Sequence, residues 1–252
     1  MSFITTDTNP LYQGWVDNVK NLKKAKSNLV RLINRQIKLS KTLPSGDIRP
    51  CDLHIISNLS KSAFLIYSSY TEANLLKLIH LPNSFDKQEV EEILKVKKNK
   101  NIIEAWLKAI NLASMKNNVS IVGVDSIETC ERSLKEIVHL SLKDPSEIRN
   151  KIVHGQWSTV YNSRYLALNN TLTMEVENID IAKIDGWYLI FDKLAELLKQ
   201  LIQSPNKGFP VQYSRLIDEI NNLVIETQSW NITTKRSKLL KLGPIPSDQP
   251  KE

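Results

Sequence analysis

DPSEIRNKIVHG, residues 144–155, is the best-punctuated stretch of this 252-residue chain, and its reading decides the fold. Asp144 suits an N-cap, and Pro145 suits the first helical position, where a missing N–H costs nothing. Glu147 completes a capping box, and Gly155 suits the left-handed residue that ends a helix. The spacing predicts a short helix between these marks. Upstream, Asp125 followed by Glu128 reads as another N-cap with its box, opening a helix through His139. VSIVGVDSIE, residues 119–128, suits either a short buried strand or the approach to that helix.

Working outward, the helical period dominates. Residues 11–42 carry Trp15, Val19, Leu22, Ala25, Leu29, Leu32 or Ile33, and Ile37, spaced by three or four. Lys20, Lys23, Lys24 and Lys26 decorate the other side, as a solvated face or a grip for phosphate. LPSGDIRP breaks the pattern before a second long helix over 52–80, with Leu53, Ile56, Leu59, Ala63, Tyr67, Tyr70 and Leu76. Residues 82–100 read as a loop and short helix in which Glu91 and Glu92 pair with Lys95. Ile103, Trp106, Leu107 and Ile110 suggest one more helix before the motif. After it, residues 159–180 are rich in β-branched residues and Asn, which predicts a small two-stranded β excursion. An amphipathic helix follows over 184–202, with Trp187 and Phe191, then a last helix over 212–229 and a basic tail that frays. The expected fold is all-α: a helical domain over 1–210, then a C-terminal helix and basic tail over 211–252.

Composition agrees. Only 7 glycines are present, and neither G-x-G-x-x-G nor G-x-x-x-x-G-K-[ST] occurs, which excludes the glycine-rich nucleotide-binding folds. Net charge is +7 with a pI near 9.2, a balance that favours polyanionic partners such as RNA. Cys51 and Cys130 stand far apart, with no C-x-x-C, no H-E-x-x-H and no clustered His and Cys, so no metal site is expected. The N-terminus shows no secretion-signal pattern and no apolar run approaches a membrane span. A soluble, cytoplasmic protein without membrane attachment is the expectation.

Arg149-Asn150-Lys151-Ile152-Val153-His154, followed by Gly155, is an R-N-x-x-x-H sequence. Here the chain resembles the HEPN superfamily, helical proteins whose ribonuclease members carry an R-x4-6-H motif. The order of elements over roughly residues 10–205 is similar: two long helices, a third before the motif, the motif helix, then the Trp187 helix. The resemblance implies metal-independent RNA cleavage leaving a 2′,3′-cyclic phosphate, no cofactor, and a homodimer with this helix at its interface. It also implies service in toxin–antitoxin or phage-defence systems, with a possible antitoxin or regulatory partner. Some members carry a Tyr two residues after the motif His as a modification site; here that position is Gln156.

The residue types suit the chemistry without the family. Attack by a 2′-hydroxyl needs a proton acceptor, a donor for the leaving 5′-oxygen, and positive charge for the crowded phosphorane. His154 can move protons because a free imidazole titrates near about 6.5. Arg149 offers a planar fork of donors to phosphate oxygens. Asn150, one turn before His154, can orient the imidazole or a phosphate. Arg149 and His154 lie about 140° apart around a helix, so two copies facing across a two-fold axis converge them better than one does. Glu72, on the second long helix, either fixes the guanidinium or is a surface carboxylate. Arg132 and His139 form a looser match better explained by helix packing, and His54 and His80 stand alone. The alternative function is a non-catalytic HEPN module that binds RNA, a nucleotide or a partner protein.

Overall fold

The computed structural model describes residues 10–116 and 126–243. Outside them lie the N-terminal stretch without a secretion-signal pattern, most of VSIVGVDSIE including Asp125, and the end of the basic tail. Among the described residues there are nine helices and, apart from two isolated antiparallel bridges, no β structure. The protein is all-α.

The first helix, α1 (Pro10–Leu39), turns back through residues 40–49 into α2 (Pro50–Ile79), and the two form a long antiparallel pair. On α1 the stripe buries Ile33 and Ile37 completely and Val19 nearly so, with Trp15, Leu22 and Leu29 at its edges. Ile33, not the exposed Leu32, is the inward residue. Asp52 closes the turn by accepting from the Lys41 backbone N–H at 3.0 Å.

At the centre stands α2, which packs against α1, α4 (Ile102–Met115), α5 (Ile127–Val153) and α7 (Ile181–Gln203). Being covered from several sides, it buries Ser60, Lys61, Thr71 and Asn74 along with its apolar residues. Phe64, Tyr67 and Tyr70 of α2 interlock with Trp187, Tyr188 and Phe191 of α7 at ring separations from 4.8 to 6.2 Å, and Trp106 of α4 meets Phe191 edge-on at 5.3 Å. This aromatic cluster is the middle of the core. Beside it, α3 (Lys87–Asn99) opens with a true capping box: Glu89 N–H donates to Asp86 Oδ1 at 2.9 Å and Asp86 N–H to Glu89 Oε2 at 2.8 Å. Glu91 and Glu92 pair with Lys87 and Lys108 rather than with Lys95.

The two helices expected over 125–155 are one. Continuous from Ile127 to Val153, α5 starts at Ser126, whose hydroxyl accepts from Thr129 N–H, and it runs straight through Pro145. Asp144 is therefore an exposed mid-helix residue and not a cap. Proline supplies no N–H, so the carbonyl of Ser141, four residues earlier, lacks its helical donor. Ser141 is fully buried, and its carbonyl accepts the Tyr67 hydroxyl of α2 at 2.8 Å. A tertiary hydrogen bond replaces the missing helical one, and the helix continues.

The β excursion reduces to one bridge, Tyr161 with Leu168, closing a tight loop. Asn162 organises that loop, its Oδ1 accepting from the N–H groups of Arg164 and Leu166 at 3.1 and 3.0 Å. The β-branched run that follows becomes α6 (Asn170–Glu177), started by Asn169 as N-cap. After α7 come α8 (Gly208–Gln228) on its flank and α9 (Ile232–Lys241). The segment expected to fray is thus helical in its first half, docked on α1 and α7. Lys235 bonds Asp185 at 2.6 Å, Arg236 donates to the Ser40 carbonyl at 3.1 Å, and Asp180 caps α7 while also accepting from Ile232 N–H. No described helix is long and apolar enough to cross a membrane.

Candidate active site

The last turn of α5 presents Arg149, Asn150, Val153 and His154 on the surface while Ile148 and Ile152 enter the core. The helix ends in a complete Schellman motif: Gly155 N–H donates to Ile152 O and Gln156 N–H to Lys151 O, each at 3.0 Å. His154 is the C-cap and Gly155 takes the left-handed conformation at φ 78°. The expected terminator is borne out. Gly155→Ala is therefore expected to cost about 1–2 kcal/mol, through the steric penalty of a Cβ in that region, measurable by urea denaturation. Nothing stands within 4 Å of that Cβ, so crowding adds nothing.

The chain beyond the helix is fastened to its end. Trp157 donates from Nε1 to Ile152 O at 3.0 Å, and Lys151 Nζ donates to Tyr161 O at 2.9 Å. Gln156 is buried, its Oε1 accepting from Tyr161 N–H at 2.8 Å, so the position two after the motif histidine points inward. Lys61 of α2 is 5% exposed and donates to Trp157 O at 2.6 Å, with burial lowering its affinity for a proton. These contacts hold the frame of His154 rigid without touching its ring. Lys61 escapes sequence reasoning, although a lysine beside Ser60, Ala63 and Phe64 on the most apolar helix was the available signal.

Arg149 donates from Nη1 to Asn150 Oδ1 at 3.1 Å. Asn150 therefore orients the guanidinium, and the imidazole of His154 has no hydrogen-bond partner among the described residues. Both catalytic candidates are open to solvent, on neighbouring parts of one helix end. Glu72 is not with them. It pairs with Lys97 of α3 at 2.6 Å. Counting along α2 from Lys61, which sits at the end of α5, Glu72 lies about three turns or roughly 16 Å away. The expectation that it fixes the guanidinium fails within one chain, because α2 and α5 run antiparallel and carry the two residues in opposite directions.

A cavity of about 550 Å3 opens beside Ile148, between α5, α6 and α7, with Asp144, Glu175 and Asp180 in its lining. Burial raises Glu175 above the usual carboxylate range, and the charges of Asp144 and Glu147 add to it. Those carboxylates repel phosphate, so this cavity does not suit a nucleic-acid backbone. Among the described residues, no group of three or more His, Cys, Asp and Glu stands close enough to hold a metal ion. No family model, curated protein or solved structure matches the chain.

Proposed function

We propose that this protein is a metal-independent endoribonuclease of the HEPN type that works as a homodimer in the cytoplasm. The observation that carries the reading is the Arg149–His154 pair on the exposed end of a rigidly terminated helix, with the imidazole left without an internal partner. In the reaction, His154 takes the proton from a ribose 2′-hydroxyl as its oxygen attacks the adjacent phosphorus. The P–O5′ bond breaks, the leaving 5′-oxygen takes a proton from an imidazolium, and a 2′,3′-cyclic phosphate remains. Arg149, steered by Asn150, neutralises the phosphorane oxygens. An exposed pair on one convex helix end makes no cleft by itself. A second copy across a two-fold axis supplies the opposite wall and excludes water.

The exposure also favours a second reading, a non-catalytic module whose helix end binds RNA or a partner protein. The two separate in one experiment. Wild type and His154→Ala are incubated with total cellular RNA in EDTA, and product ends are mapped. Discrete cleavage with cyclic-phosphate ends, lowered about 100- to 10,000-fold in the variant, is the expected result. Equal cleavage by both proteins refutes the assignment of His154, and RNA binding without cleavage by either favours the module. The place of such an enzyme in toxin–antitoxin or defence systems, with an inhibitory partner, is part of the same proposal.

A further inference from the structure

A second constellation lies at the other end of the bundle. There α1 runs beside the last turns of α2 and passes α7, and the three helices border a solvent-open cavity of about 580 Å3. Five lysines from three helices line it: Lys20, Lys23 and Lys24 of α1, Lys77 of α2 and Lys199 of α7. Glu196 is the one carboxylate in the lining. Lys77 lies sixteen residues along α2 from Lys61, about 24 Å from the end of α5, so this cavity is separate from the Arg149–His154 face.

The lysines are not neutralised within the fold. Lys23 approaches Asp192 at 3.8 Å and Lys199 approaches Glu196 at 3.5 Å, both loose and partly exposed pairs. Lys20 and Lys24 have no carboxylate partner among the described residues. Lys77 is the informative member: it is half-buried, and its ammonium donates to an uncharged amide, Asn74 Oδ1, at 3.0 Å. Burial holds its proton affinity below the ordinary lysine range, the charges of Lys23 and Lys199 lower it further, and Asp192 and Glu196 offset only part of that fall. A half-buried cation whose hydrogen bond goes to an amide and not to a carboxylate costs stability, which an apolar residue in its place would recover. An anion in the cavity offsets that cost by meeting several ammonium groups at once.

We propose that this cavity is a binding site for a compact oligophosphate anion, with Lys77 at its base and the α1 and α7 lysines around it. A lining charge of +4, five lysines against Glu196, matches adjacent phosphoryl groups better than a single phosphate. The lysines ring one cavity instead of tracking a stripe, which suits a short chain of phosphates rather than an extended nucleic-acid backbone. Tyr12 and Val16 form an apolar wall, so the phosphates belong either to a free oligophosphate or to a nucleotide whose base rests there. The site stands whether or not the Arg149–His154 pair cleaves RNA.

The test is titration calorimetry of the full chain with inorganic triphosphate and, in parallel, with ATP, at physiological salt. Saturable binding at one site per chain is expected. Lys77→Met and the double variant Lys20→Gln/Lys24→Gln are each expected to weaken it about tenfold or more. Removing the same charge from α3, in Lys87→Gln/Lys95→Gln, is expected to leave affinity within about twofold. Lys77→Met is expected to melt no lower than wild type without ligand, so its loss of binding is not a loss of fold. Tighter binding of ATP than of triphosphate identifies a nucleotide, and equal binding identifies the free anion. Absence of saturable binding to either probe overturns the proposal, as does equal weakening by the α3 control.

Discussion

Chains carrying Arg149→Ala and chains carrying His154→Ala, each inactive alone, are expected to regain RNA cleavage when refolded together. The expectation follows from where the two side chains stand. They lie about 140° apart around one helix end, with Arg149 turned to Asn150 and His154 facing solvent. If each reacting centre takes its arginine from one protomer and its histidine from the other, a mixed dimer holds one centre with both residues intact. Random pairing makes half the dimers mixed, each with one working centre of two, so activity approaches about one quarter of wild type. His154→Ala should fall about 100- to 10,000-fold, the usual worth of a proton-transfer group, and Arg149→Ala about 100- to 1,000-fold, the usual worth of one donor to a developing charge. Recovery therefore stands far above the background. No recovery, with mixed dimers verified by sedimentation or native mass spectrometry, rejects the composite centre and leaves both residues acting within one chain.

The second large effect is on stability. Tyr67→Phe should lower the free energy of unfolding by about 2 kcal/mol, because it strands the buried carbonyl of Ser141 while keeping the ring. For a chain of this size that is a fall in Tm of about 4–8 °C. The ring contacts to Tyr188 and Phe191 do not depend on the hydroxyl, so the loss isolates one hydrogen bond. Burial keeps the Tyr67 hydroxyl protonated far above the ordinary tyrosine range, so it donates throughout the accessible pH. The decisive comparison adds Pro145→Ala, which restores an N–H four residues after Ser141. In that background Tyr67→Phe should cost less than half as much, a coupling of about 1 kcal/mol or more in a double-mutant cycle. Strict additivity would show that Tyr67 and Pro145 do not share the Ser141 carbonyl.

The helices of this protein are legible along the chain wherever one face repeats without interruption. Trp15 to Ile37 on α1 and Trp187 to Leu201 on α7 announce themselves because apolar residues recur every three or four positions on the face each turns to the core. The end of α5 is legible for a different reason, since Gly155 is the residue type that tolerates the left-handed cap. Reading fails where a residue's local preference is overruled from elsewhere in the fold. Pro145 signals a helix start, and Tyr67, from a helix far away in sequence, cancels the signal by supplying a donor. The Thr- and Val-rich run after Asn169 prefers a strand, yet burial of Val176 against the core and the Asn169 cap make it α6. The basic residues after Asn231 look solvated, but Asp185 of α7 takes Lys235, the Ser40 carbonyl at the end of α1 takes Arg236, and Asp180 anchors the start of α9 by accepting from Ile232 N–H.

The same division runs through the sites. Sequence alone determined the all-α class, the helix-terminal position of Arg149 and His154, and the excess of positive charge, because these depend on residue type and spacing within one segment. Only the tertiary structure decided that Asn150 serves Arg149 and that Glu72 belongs to Lys97. It alone decided that lysines scattered over three helices meet around one cavity. Each of these is a pairing between side chains remote in sequence or free in rotation, and the chain's local periodicity carries no record of which partner packing will bring within reach.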